Sequence, residues 1–281
     1  MIRAGEPRKL GVVASEARLD FGTELQELGG GPRRRLLMVD DEPAFELSFY
    51  CGTCPLLFRR LEAAREKLSL ESMQERLTGA LDDPGDSGVL DAFGALLPEG
   101  EYLPLLLSVE PRLVVPGKDG DYFSGEQVAT WGIDQFWGLP EYPHTPYYRT
   151  FETAVDADAH LYEFVVPMVP PTWNERHRVE EYVASMEAGT VPTAVTISTL
   201  DVCRPAVDLG DDYSAHWGLT HFLLDGHHKL EAAASAGRPV RLLSLLTLDE
   251  SLAEAQECAR LPELRARPHS VRTAGPPPAQ G

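Results

Sequence analysis

Five consecutive residues carry most of the chemistry legible in this chain: Asp225-Gly226-His227-His228-Lys229, set between the apolar Leu223-Leu224 and the alanine-rich Leu230-Glu231-Ala232-Ala233. An apolar strand that ends in Asp-Gly and turns at once into a helix exposes the free N–H groups of the first helical turn and the positive end of the helix dipole. Two imidazoles and an ammonium group beside those donors outline an anion site. Phosphoryl transfer needs this combination, with positive charge and N–H donors around the transferring group and a base for the hydroxyl proton. Gly226 lets the backbone approach phosphate closely. His228 and Lys229 would supply donors and charge, Asp225 would hold Mg²⁺ through water, and Glu175 would accept the proton. Glu175, Asp225 and His227 are thus the candidate catalytic residues, and Gly226, His227, His228 and Lys229 the candidate phosphate ligands. The plainer alternative is a strand-to-helix turn capped by Asp225 with solvated histidines, and a Glu175 that only complements a helix dipole.

A second motif, Cys51-Gly52-Thr53-Cys54 before Pro55, lies between an expected strand and an expected helix. It reads as a structural turn, as half of a zinc site formed by Cys51 and Cys54, or as a redox pair whose first thiol is acidified by a helix N-terminus. No second CxxC completes a zinc site, and Cys203, Cys258, His144 and His160 lack diagnostic spacing. The aromatic residues Trp131, Phe136, Trp137, Tyr142, Tyr147 and Tyr148 form either a stacking wall or ordinary loop packing. Asp208, Asp211 and Asp212 read as a solvated loop run, and His216 and His221 as packed strand histidines.

The elements that must position these residues follow from periodicity and punctuation. Residues 1–32 end in Gly29-Gly30-Gly31-Pro32 and read as a flexible leader. Strands are expected over 36–39 and 45–50, a helix over 56–68, further helices over 69–81 and 89–97, and a strand pair or one long bent strand over 103–115. Residues 131–140, continuing to 148, read as a packed aromatic loop. From 161 the pattern becomes regular: strand 161–168, helix 176–188 stopped by Gly189, strand 193–200, strand 220–224, helix 228–236 stopped by Gly237, and strand 240–248. A helix over 250–260 and a disordered proline-rich tail complete residues 251–281.

Bulk properties restrict the classes. A chain of 281 residues with 43% hydrophobic and 25% charged residues suits one or two globular units. No secretion signal or membrane-length apolar run is present, so a cytoplasmic protein with reduced thiols and no membrane partner is expected. The net charge of −19 repels phosphate backbones and disfavours nucleic acid as a partner.

Read from 164 to 248, the order strand, Glu-bearing loop, helix, Gly, strand, long loop, strand, Asp-Gly-His-His-Lys, helix, strand resembles the ParB/sulfiredoxin superfamily. Val166-Pro167-Met168 with Asn174-Glu175-Arg176, the run from Val179 through Gly189-Thr190-Val191-Pro192 to Val195, and Asp225 to Ala233 carry the resemblance. The resemblance implies that residues 161–250 form a ParB/sulfiredoxin-like nucleotide-binding domain; residues 33–160 lie outside it and read as an α+β domain of unknown type carrying the CxxC, so the expected class is α/β (α+β). Sulfiredoxins place a catalytic cysteine where His227 stands here, which excludes their chemistry. Partition proteins couple the loop to a DNA reader, whereas residues 161–250 hold 13 acids and 6 basic residues and no such module follows. The Asp-Gly-His-His spelling is most similar to the branch with free-serine kinases. That likeness implies ATP, ADP or CTP with Mg²⁺ as cofactor, the loop on the phosphates, and Glu175 as general base. Lys229 stands where those kinases have arginine, keeping the charge without the bidentate fork. The expected activity is phosphoryl transfer to a small hydroxyl-bearing metabolite. The alternatives are a nucleotide-sensing regulator and a protein-interaction module, with the protein partner left open.

Overall fold

The computed structural model describes residues 2–24, 34–48, 58–131, 143–204 and 215–271. It is a mixed α/β structure built on a nine-stranded sheet. The central strands are β10 (Ala159–Pro167), β11 (Thr193–Cys203), β12 (Ala215–Asp225) and β13 (Val240–Thr247). β10 and β12 are neighbouring parallel strands, as are β11 and β13, while β11 and β12 run antiparallel. Every residue of β11 is buried, as expected of a strand covered on both faces.

The alternation along these strands sends side chains into two cores. On one face Phe164, Val195, Ile197, Phe222 and Leu243 pack with Leu37 and Phe45 of a second, four-stranded sheet. That sheet comprises β3 (Leu19–Glu24), β4 (Arg34–Val39), β5 (Glu42–Leu47) and β6 (Arg59–Arg60). Val89, Leu90 and Phe93 of helix α1 (Ser87–Gly94) join the same core. On the other face Val165, Leu219, Leu223 and Leu242 meet Val179 and Met186 of α3 (Arg176–Glu187) and Leu230 and Ala233 of α4 (His227–Ala236). The main sheet is therefore the middle of three layers. Buried Arg35 ties the two sheets together, pairing with Asp201 at 3.1 Å and donating to the Ser48 carbonyl at 3.0 Å.

From residue 161 to 248, strands and helices occur in the order read from the sequence; the expected helix over 250–260 is reduced to α5 (Ala255–Cys258), and α6 (Leu261–Ala266) follows beyond it. Earlier expectations need correction. Residues 2–24, read as a flexible leader, contribute β1 (Ile2–Ala4) and β2 (Arg8–Leu10), both paired with β7 (Gly100–Val109), and then β3. The expected helix over 56–68 is not helical at 58–68: Arg59 and Arg60 pair with β5, and Phe58 is buried among Phe123, Tyr147 and Phe164. Residues 69–81 hold two three-residue 3-10 turns, Glu71–Met73 and Arg76–Thr78, in place of one helix. The stretch over 103–115, read as a strand pair or one long bent strand, holds two strands that do not pair with each other. β7 pairs with β13, whereas β8 (Arg112–Val114) crosses to pair with β9 (Tyr147–Asp156) beyond β10. The expected boundary at 160/161 falls inside β10, and the sheet continues through strands on both sides of it.

Candidate functional site

Parallel pairing of β10 and β12 brings the candidate residues together. Their register runs in step from Ala159 opposite Ala215 to Pro167 opposite Leu223, so both strands end at the same edge. The chain leaving β10 makes a 3-10 turn, Pro171–Trp173, and enters α3 through Asn174 and Glu175. The chain leaving β12 turns at Gly226 directly into α4. A crevice at the carboxyl ends of parallel strands is a recurrent ligand position in α/β sheets.

Gly226 is required by geometry. Its φ of +103° lies in the left-handed region, and a Cβ there would stand 2.5 Å from the Ala194 Cβ. Asn174 links the two loops, donating from Nδ2 to the His227 carbonyl at 3.3 Å and to Glu231 at 2.8 Å. Arg176 pairs with the other Glu231 oxygen at 2.6 Å, which fastens the start of α3 to α4.

Across this joint His228 Nε2 hydrogen-bonds the Glu175 carboxylate and accepts from the Glu175 N–H at 3.4 Å when that nitrogen carries no proton. Lys67 completes the group, with Nζ 3.3 Å from His228 Nε2 and 3.6 Å from the Glu175 carboxylate. These residues line a cleft of about 110 Å³ with Ser69, Arg178 and the Asp225–Lys229 turn. His227 lines it too. Its ring is 3% exposed, and neither ring nitrogen has a hydrogen-bond partner. An unmade hydrogen bond on a buried group costs about 1–3 kcal/mol, a cost that a ligand offering polar atoms relieves.

The electrostatics follow from burial and the Lys67 charge. Burial, reinforced by Lys67, pushes His227 down to about 3, and the same two causes in the same order lower His228. Both imidazoles are therefore neutral at pH 7, each offering one donor and one acceptor nitrogen. Glu175 is held ionised, down to about 2, first by its own backbone N–H, then by His228 and Lys67. Burial also lowers Lys67, against the opposing pull of Glu175.

No family model, curated protein or solved structure matches the chain. The site therefore stands on its own geometry.

The structure brings Glu175, His227 and His228 to one cleft, where Asp225 and Lys229 also line the wall but are paired with each other. Lys229 is 4% exposed and spends its ammonium on Asp225 at 2.6 Å and the Thr193 carbonyl at 2.9 Å. It stabilises the turn from within, and the cleft's positive charge comes instead from Lys67 and Arg178. Asp225 is fixed by the same ion pair, which competes with the Mg²⁺ role expected of it. Among the described residues no three His, Cys, Asp or Glu side chains gather as a metal cage. Cys51 and Cys54, with Phe136, Trp137, Tyr142, Asp208, Asp211 and Asp212, lie outside the described residues. Cys203 and Cys258 are both buried. His216 is held by the Tyr122 hydroxyl at 2.6 Å and Thr130 at 3.0 Å, and His221 by Ser198 at 2.7 Å, so both are packed strand histidines.

Sequence reasoning missed Lys67, Ser69 and Arg178. Lys67 is one of only four lysines in the chain, yet no local motif marks it. Its role arises from contact with a residue 161 positions away.

Proposed function

We propose that the cleft at the start of α4 binds the phosphates of a nucleotide such as ATP, ADP or CTP, and that the protein transfers a phosphoryl group to the hydroxyl of a small metabolite. One observation carries the reading: Lys67, His228 and Glu175 converge over the first turn of α4, beside a buried His227 whose ring nitrogens lack partners. The N–H groups of that turn, Lys67 and Arg178 hold the transferring phosphate. The acceptor oxygen bonds to phosphorus as the bond to the departing nucleotide oxygen breaks, and the hydroxyl proton passes to Glu175. A carboxylate pulled down to about 2 is a weak base. Phosphoryl transfer tolerates this, because its loose transition state depends more on positioning and charge than on proton removal. No step is routed through Mg²⁺, since Asp225 already pairs with Lys229. The similarity of the Asp225–Lys229 turn to the free-serine-kinase branch of the ParB/sulfiredoxin superfamily supports the same reading.

Calorimetry with ATP, ADP and CTP at millimolar concentration tests it. Binding that is lost in Lys67→Met and retained in a Lys118→Met control is expected; no binding of any of the three removes the proposal. A sensing role without turnover is the second reading, favoured by the weakness of Glu175 as a base. Nucleotide consumption on adding hydroxyl-bearing metabolites, present in the wild type and reduced in Glu175→Ala, separates the two.

A further inference from the structure

A cleft of about 110 Å³ is smaller than a cavity of about 150 Å³ that encloses a single benzene ring, so it can take a phosphoryl group but cannot enclose a nucleoside. The remainder of such a ligand must lie outside the cleft, along the seam where the chain around residues 58–69 meets residues 170–178. Two contacts define that seam. At one end Lys67 reaches Glu175 and His228 in the cleft. At the other the Arg60 guanidinium sits 5.8 Å from the centre of the Trp173 ring, anchored by a 2.5 Å hydrogen bond to the Ala64 carbonyl.

Trp173 is 54% exposed, unusual for the largest apolar side chain. Its position is nevertheless fixed. Pro170 and Pro171 open the 3-10 turn, and the backbone N–H groups of Trp173 and Asn174 bond back to the Pro170 and Pro171 carbonyls at 2.9 and 3.0 Å. An exposed indole on a hydrogen-bonded turn, with a cation beside its ring, suits a stacking platform for a planar heterocycle. Trp173 precedes Glu175 by two residues, so chain geometry keeps their Cα atoms within about 7 Å.

We propose that Trp173 is the stacking platform for the heterocyclic base of a nucleotide whose phosphates occupy the Lys67–His228 cleft. This rests on the nucleotide reading of the cleft and adds the residue that holds the base. Because the contact is through stacking, it favours nucleotides over inorganic polyphosphate without discriminating strongly among bases.

The test is calorimetric titration of the full chain with ATP and with inorganic tripolyphosphate at one ionic strength, for the wild type, Trp173→Ala and Trp173→Phe. Wild type is expected to bind ATP about tenfold or more tightly than tripolyphosphate. Trp173→Ala should reduce ATP to the tripolyphosphate level while leaving tripolyphosphate unchanged, and Trp173→Phe should keep most of the difference. Trp173→Ala changes an exposed side chain, and an unaltered thermal midpoint would confirm that its fold is intact. If tripolyphosphate binds and ATP binds no better, or if Trp173→Ala leaves ATP unaffected, the platform is overturned while the phosphate site survives. If neither ligand binds the wild type, the phosphate reading fails and the platform falls with it.

Discussion

Lys67 sets the character of the cleft, because its charge lies against an imidazole that it helps keep neutral and a carboxylate that it helps keep ionised. Replacing it with methionine removes a cation from both. The His228 pKa should therefore rise toward the ordinary histidine value, and the Glu175 pKa should rise as well. An imidazole NMR titration of Lys67→Met reads the first effect; a His228 pKa that stays where it is or falls would show that Lys67 does not act on that ring. The Asp225–Lys229 pair was not legible at this scale, because it forms across the turn from β12 into α4, with the acid on the strand and the lysine on the helix, where no helical spacing announces it. The contribution of Lys67 was not legible, because it depends on a fold-level contact that no local pattern encodes.

Among the elements, the turn from β12 into α4 is the most constrained, and Gly226 is its pivot. Alanine there would combine a left-handed backbone with a collision against Ala194, and should cost roughly 1–3 kcal/mol of stability. Urea unfolding of Gly226→Ala checks this; a loss below a few tenths of a kcal/mol would mean that the turn adjusts freely. The regular elements after residue 159 were readable because long apolar runs, helical spacing and terminal glycines agree there. Residues 58–68 misled for a physical reason. Phe58, Ala63, Ala64 and Leu68 are all buried, but each is buried from an irregular or extended backbone, and apolar spacing alone does not distinguish that from a helix face. The irregular path has a consequence for the site, since it delivers Arg60 to Trp173 and Lys67 to His228. β1 and β2 escaped notice because three residues are too few to show alternation, and their partner β7 lies about a hundred residues away.

Across the whole molecule, the main sheet buries polar groups whose protonation couples stability to pH. Burial lowers His221 to about 4 and His227 to about 3. Above about pH 6.5 both are neutral in the folded and unfolded states alike. Between 6.5 and these folded values the unfolded chain binds protons that the folded one does not, so stability falls as pH falls through that window. The denaturation midpoint should therefore drop between pH 7.5 and 5, and the drop should be smaller in His221→Asn; equal slopes in the two proteins would contradict the assignment for His221. Glu163, fully buried, pairs with Arg265 of α6 at 2.8 Å and accepts from Thr150 at 2.6 Å, which fixes the C-terminal helix to the sheet. Sequence patterning conveyed the mixed α/β class and the second half of the sheet. It did not convey that the first and last strands of that sheet come from residues outside 161–250, because pairing between distant short strands leaves no periodic trace.

The central claim is that His227 and His228 face a bound phosphate. Imidazole NMR during titration with inorganic tripolyphosphate, followed at pH 7 on all eight histidines, tests it most directly. The His227 and His228 resonances should shift with saturation at millimolar ligand or below, while those of the strand histidines His216 and His221 stay in place. If His227 and His228 remain unmoved at that concentration, the cleft is not a phosphate site.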